Sequence, residues 1–267
     1  VDARSYLSAR RSYPFGSIRD PETGHANYDV PYIPMDILDG TGRSFDPRSV
    51  AEELLEGRRV VLTGDYGAGK SSTAREICRV VEARFLKGES RVFPVFLNLR
   101  DHHGQVDPVE ALERHARRVG FAVPTSLVQA WRAGFCTLVL DGFDEIASAG
   151  WAGVVKRLRD LRYRSMELVR SFIRETPLTS GLLITGRAHF FDSDKELETA
   201  LSLHSGHLRV TLSEFTAEQV GKFLDRLGFR KPIPEWLPTR PLLIGYLMTR
   251  ELLGDDTVGA PDPAEGW

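Results

Sequence analysis

The sequence predicts an α/β fold: an open, mostly parallel sheet of five strands with helices on both faces, followed by a small helical subdomain. Three observations predict it. Five short apolar runs alternate with stretches of helical period. The first run feeds directly into a glycine-rich loop and then a helix. After Thr216 the strand-type runs stop and only helical stretches remain.

Taken in order, residues 1–31 are polar and aperiodic around Tyr13, Pro14, Phe15 and Gly16, and are expected to form an irregular arm. The core that holds the sheet is expected over 32–215. Its first segment, Tyr32 to Leu38, is apolar and extended, an edge segment or a strap, because Pro31 and Pro34 forbid a helix there. Asp46-Pro47 reads as a helix start, with Val50, Leu54 and Leu55 turned inward. The strands are expected at 58–63, 92–99, 135–140, 181–185 and 207–212. Helices are expected at 72–86, 108–119, 126–133 and, as one long element, 151–174 with Val154, Leu158, Leu161, Leu168 and Phe172 inside. The subdomain, 216–267, should begin with helices at 217–227 and 241–253 around the proline-rich 231–238.

The glycine loop carries the first chemistry. Gly64, Asp65, Tyr66, Gly67, Ala68, Gly69, Lys70, Ser71 and Ser72 fit G-x-x-x-x-G-K-[ST], a phosphate-binding loop. Small residues let the backbone wrap a triphosphate with its N–H groups turned inward. Lys70 would reach the β- and γ-phosphates, and Ser71 would offer its hydroxyl to Mg²⁺. A helix starting near Lys70 aims its positive end at the same charges. The order strand, loop, helix is the one such a loop requires.

The second chemistry is acidic. Leu138-Val139-Leu140-Asp141-Gly142-Phe143-Asp144-Glu145 is an apolar strand running into carboxylates. Asp141 suits the magnesium side of the site, and Asp144 or Glu145 could polarise an attacking water. Arg187, at the end of the fourth strand, stands where ligands lie in such sheets and could act on the γ-phosphate. His102-His103 has no partner at metal-ligand spacing and reads as loop.

The 267 residues carry a net charge of −2, which points to no anionic polymer. The arginines of 151–174 are interspersed with acids, so they read as a solvated face rather than a nucleic-acid surface. No apolar run is long enough to span a membrane, and the N-terminus does not read as a signal peptide. Cys78 and Cys136 read as buried, reduced thiols, the pattern of a cytoplasmic protein. The start at Val1 and the Gly/Pro/Asp-rich end at Trp267 suggest a piece of a longer polypeptide.

Together these motifs resemble a NACHT module of the STAND class of P-loop NTPases, over about residues 32–253. The phosphate loop matches. So does Asp141 followed by a small residue, Gly142, and then the acidic pair Asp144-Glu145. Leu183-Ile184-Thr185-Gly186-Arg187 is similar to the family's arginine-bearing sensor strand. Arg240-Pro241-Leu242-Leu243 is similar to the entry of its helical subdomain. The resemblance implies that the sensor strand lies between the phosphate-loop strand and the Asp141 strand, and that Pro241 lies against the nucleotide base. It also implies ATP and ADP as ligands with Mg²⁺, slow hydrolysis, and self-association in the ATP state. Fused sensor and effector domains, acting in defence or stress signalling, complete the implied protein. A motor-like AAA+ ATPase acting on DNA or protein is the alternative. A small-molecule kinase is disfavoured by the helical tail and by the lack of a lid-like arginine cluster between the strands.

Overall fold

The computed structural model describes residues 2–11, 31–146, 158–229 and 233–249. Its centre is a seven-stranded sheet, comprising β1 (Ile37–Asp39), β2 (Ser44–Phe45), β3 (Arg59–Thr63), β4 (Phe93–Asn98), β5 (Cys136–Asp141), β6 (Leu182–Gly186) and β7 (Leu208–Leu212). Their order is β2-β1-β7-β3-β6-β5-β4. The five expected strands are all present and mutually parallel, and β6 lies between β3 and β5 as the resemblance implied. The two additional strands are short, antiparallel and at one edge. Ile37 and Leu38, expected in an edge segment or strap, pair with Leu212 and Thr211.

The central strands are buried on both faces, so their sequences are almost continuously apolar. Their alternation still sorts side chains between two cores. On β5, Cys136, Leu138 and Leu140 face one core while Val139 faces the other. On β6, Leu182 and Ile184 oppose Leu183 in the same way. The second core is closed by α2 (Pro47–Leu55), α3 (Lys70–Leu86), α10 (Ala217–Arg226) and α11 (Pro241–Thr249). The first is closed by α4 (Pro108–Arg118), α5 (Pro124–Arg132), α8 (Glu167–Glu175) and α9 (Asp194–Leu201). Cys78 and Cys136 are both free and buried, and burial pushes both thiols up, away from the reactive thiolate.

Three expectations are corrected. First, residues 3–11 of the expected arm form a helix, α1 (Ala3–Arg11). Its buried positions are Ala3, Tyr6, Leu7 and Arg10, one stripe at helical spacing. Tyr6 is fully buried against Phe93 and Phe121, and its hydroxyl lies 2.8 Å from His115 Nε2. Burying such a ring stabilises the docked helix by about 1.5–3 kcal/mol. Second, the long helix is two, α7 (Leu158–Ser165) and α8, with Met166 between them. No residue of α7 is buried and Leu161 is exposed, so Leu161 does not belong to an inner stripe. Val154 lies outside the described residues. Third, α9 occupies a stretch with no element expected. Ser193 caps it by accepting from the Glu196 N–H. The expected 241–253 helix is described as far as Thr249.

Candidate nucleotide site

The phosphate loop joins β3 to α3 at the carboxyl ends of the parallel strands, where ligands lie in sheets of this kind. Gly67 and Gly69 adopt φ of +74° and +95°, a left-handed backbone that glycine enters at no steric cost. Gly69 occupies the N-cap of α3 and offers no side-chain cap, so the first N–H groups of a 17-residue helix keep their capacity for an external anion. Lys70 Nζ donates to the carbonyls of Gly64 at 2.9 Å and Asp65 at 2.8 Å. Burial lowers the Lys70 pKa, opposed by the nearby carboxylates of Asp144 and Asp141.

Behind Lys70, the residue that follows it reaches the end of β5. Ser71 Oγ donates to Asp141 Oδ2 at 2.8 Å. Thr185, on the neighbouring β6, donates to Asp141 Oδ1 and accepts from the Gly142 N–H at 3.1 Å. Burial raises the Asp141 pKa, while the Thr185 and Ser71 hydrogen bonds and the charge of Lys70 work against that rise. A hydroxyl and a carboxylate are hard oxygen donors of the kind Mg²⁺ takes beside nucleotide phosphates. Ser71 and Asp141 would therefore hold the ion, and Mg²⁺ there would neutralise charge on the phosphates. Among the described residues no cluster of three or more His, Cys, Asp or Glu forms a separate metal cage. His102 is instead buried against Gln105 Oε1 at 2.7 Å, and His103 Nδ1 lies 2.8 Å from the Ile146 carbonyl.

The acidic pair opens a short helix, α6 (Phe143–Ile146). Gly142, with φ +83°, makes the reversal out of β5. Asp144 and Arg187, expected as separate groups, are joined: the Arg187 N–H donates to Asp144 Oδ1 at 3.0 Å and its Nε donates to Oδ2. Arg187 thus orients the carboxylate and occupies a lone pair on each oxygen. Glu145 is half-buried, one residue further on. A Cβ on Gly186 would fall 2.4 Å from the Phe143 ring, so the approach of β6 to α6 that sets this pairing depends on that glycine.

The helical segment closes the other side. The Leu242 N–H donates to the Gly67 carbonyl at 3.2 Å, and a Cβ on Gly69 would stand 3.9 Å from Pro241 Cγ. Pro241 therefore borders the phosphate loop. Arg240 Nη2 donates to Asp65 Oδ2 at 2.6 Å, and His189 Nδ1 lies 3.4 Å from Asp65 Oδ1. Tyr66 is exposed, its ring 5.8 Å from the Arg187 guanidinium. Every residue expected at the site, from Gly64 to Ser72, with Asp141, Asp144, Glu145, Arg187 and Pro241, lies on this rim of the sheet. Thr185, His189 and Arg240 join them without having been singled out. Thr185 had a signal, as the polar residue in an otherwise apolar strand next to the one ending in Asp141.

The NACHT domain family matches residues 58–229. No match was found among curated proteins. Among solved structures, the Orc1 protein of Aeropyrum pernix in complex with DNA is 22% identical, covering 77% of this chain and 54% of that one, with a TM-score of 0.43. Cdc6p from Pyrobaculum aerophilum is 17% identical over 66% of this chain and 45% of that one, with a TM-score of 0.38. The DnaC helicase loader is 16% identical over 62% and 86%, with a TM-score of 0.36. The chain spans about half the length of the first of these, 54%. No helix among the described residues is long and apolar enough to cross a membrane. The match across 58–229 takes in both the loop that would hold the phosphates and the Asp141 strand beside it: the chain belongs to the NACHT domain family of nucleotide-binding P-loop NTPases.

Proposed function

We propose that this module is the nucleotide-gated switch of a STAND-class signalling protein, which self-associates with ATP and separates with ADP. In this reading Lys70 binds the β- and γ-phosphates, Ser71 and Asp141 hold Mg²⁺, and Asp144 or Glu145 orients the attacking water. Arg187 stabilises charge on the γ-phosphate, and Pro241 lies against the base. Defence or stress signalling is the setting the family resemblance implies, with sensor and effector domains fused to the module and the protein acting in the cytoplasm.

One observation supports switching above all. The entry to α11 sits on the phosphate loop itself, through Arg240 just before the helix and Leu242 in its first turn. A switch needs two states that bind nucleotide differently, because equal affinity for both shifts nothing. A helical segment bonded to the loop that wraps the phosphates is placed to feel whether a γ-phosphate is there.

Hydrogen exchange over residues 217–249 tests this with ADP and with a non-hydrolysable ATP analogue. The expected result is different protection of α10 and α11 in the two nucleotides. Light scattering of the natural polypeptide that carries the module then reads self-association. Identical protection, together with a mass independent of nucleotide, would overturn the switch while leaving the ATPase intact.

A further inference from the structure

An acid stands inside a loop whose chemistry is to bind anions. Asp65 is the second residue of the phosphate loop, and its own carbonyl is 2.8 Å from Lys70 Nζ. Its carboxylate is therefore within a few ångströms of the groups that meet the phosphates. Uncompensated, it would repel a triphosphate, since a unit charge acts over such distances through partly solvated protein.

Its compensation comes from outside the loop. Arg240, immediately before α11, gives Nη2 to Asp65 Oδ2 at 2.6 Å and Nε to Glu214 Oε1 at 2.8 Å. Glu214 thus fixes the plane of the guanidinium and turns its other edge to Asp65. His189, just past β6, lies 3.4 Å from the remaining Asp65 oxygen and adds a cation only when protonated. The next two residues after Arg240 are the ones that touch the loop, Pro241 beside Gly69 and Leu242 on the Gly67 carbonyl.

We infer that Asp65 and Arg240 are positioning residues for the nucleotide: Arg240 cancels the charge of Asp65 and, by the same ion pair, sets the start of α11 on the phosphate loop. The pair is too exposed to matter much to folding, at 31% and 49% of side-chain surface. Its effect falls on phosphate affinity, where an unbalanced carboxylate beside the ligand is felt directly. The inference rests on nucleotide binding at the loop and not on switching.

The test is a double-mutant cycle on the full chain, read by calorimetry with ATP·Mg²⁺. Arg240→Ala should weaken binding about tenfold, the order expected for one unit charge left unbalanced at this range. Arg240→Lys, which keeps the charge, should stay within about threefold of wild type. Asp65→Asn combined with Arg240→Ala should recover most of the loss, because the charge needing compensation is gone. Equal losses from Arg240→Ala in the Asp65 and Asp65→Asn backgrounds would overturn the inference, since Arg240 would then act without Asp65. An Arg240→Ala protein that fails to fold, by circular dichroism, would overturn it too, as so exposed a pair should not decide the fold. Wild-type chain that binds no nucleotide would instead remove the loop assignment beneath it.

Discussion

The two rims of the sheet use most of their charge differently. At the carboxyl ends of the strands, Lys70 apart, polar and charged side chains answer one another: Arg187 with Asp144, Arg240 with Asp65 and Glu214, Ser71 with Asp141. At the amino ends lies a cavity of about 590 Å³ lined by Arg59, Arg170, Arg174 and His204. There the inner arginines answer mainly the main chain, with Arg170 also paired to Glu167. Arg59 donates to the carbonyls of Ile173 at 2.6 Å and Thr176 at 3.0 Å, and Arg170 to those of Tyr163 and Ala200. A carbonyl at a helix end cannot swing away, so those cations serve as caps. A carboxylate on a side chain can trade its partner for a phosphate or a metal. The cavity is thus the less chemical of the two rims, although it is the more cationic.

The sharpest way to break this comparison is Lys70→Ala. It should abolish measurable triphosphate binding, a loss beyond about 100-fold, because several phosphate charges lose their principal cation. Thermal denaturation should shift only modestly, because losing the bonds to the Gly64 and Asp65 carbonyls is offset by relief of a buried cation. Calorimetry beside a melting curve checks both halves. A protein that binds ATP as tightly as wild type would end the distinction between the rims.

The acidic pair should give the next largest effect. Asp144→Asn or Glu145→Gln is expected to slow single-turnover hydrolysis by about 10²-fold, the low end for loss of a positioned base, with binding within threefold. Asp144→Asn also loosens Arg187, so a slow Asp144 variant with a normal Glu145 variant would assign the water to the Asp144–Arg187 pair. Wild-type rates in both would make the pair structural, on the model of the opposite rim.

The smallest effect should come from that opposite rim. Arg59→Ala removes the donor for two helix-end carbonyls and should cost about 1–3 kcal/mol of stability. The KM for ATP should not move. Urea denaturation with steady-state kinetics separates the two, and a changed KM at unchanged stability would show that this rim also speaks to the nucleotide.

The phosphate-loop rim was largely legible in the residues because its signals are local. Lys70 and Asp141 each stand at the junction of an apolar strand and a turn, and the strand order followed from the family those motifs resemble. What stayed hidden was pairing at a distance. Arg187 and Asp144 are 43 residues apart, and nothing in either neighbourhood says that their side chains meet. Arg240 and Asp65 are 175 apart. The first helix was hidden for another reason. Its stripe of Ala3, Tyr6, Leu7 and Arg10 has helical spacing but only two large apolar residues, set among two other arginines and two serines that read as solvated chain. Met166 broke a run that its arginines made look continuous, because long charged side chains satisfy helix propensity without requiring a buried face.

That first helix also separates two meanings of a boundary. The family's limits, 58–229, mark where related sequences can be recognised. The limits of the folded body are set by what its core needs to stay dry. A chain trimmed to the recognisable part would lose the ring of Tyr6 from between Phe93, His115 and Phe121. The aromatic wall left behind would face water beside β4, the last strand of the sheet. An apolar patch next to the last strand of a sheet is where proteins stick to their own copies. The cost of cutting at the recognisable limit would therefore appear first as poor solubility, before any loss of nucleotide chemistry.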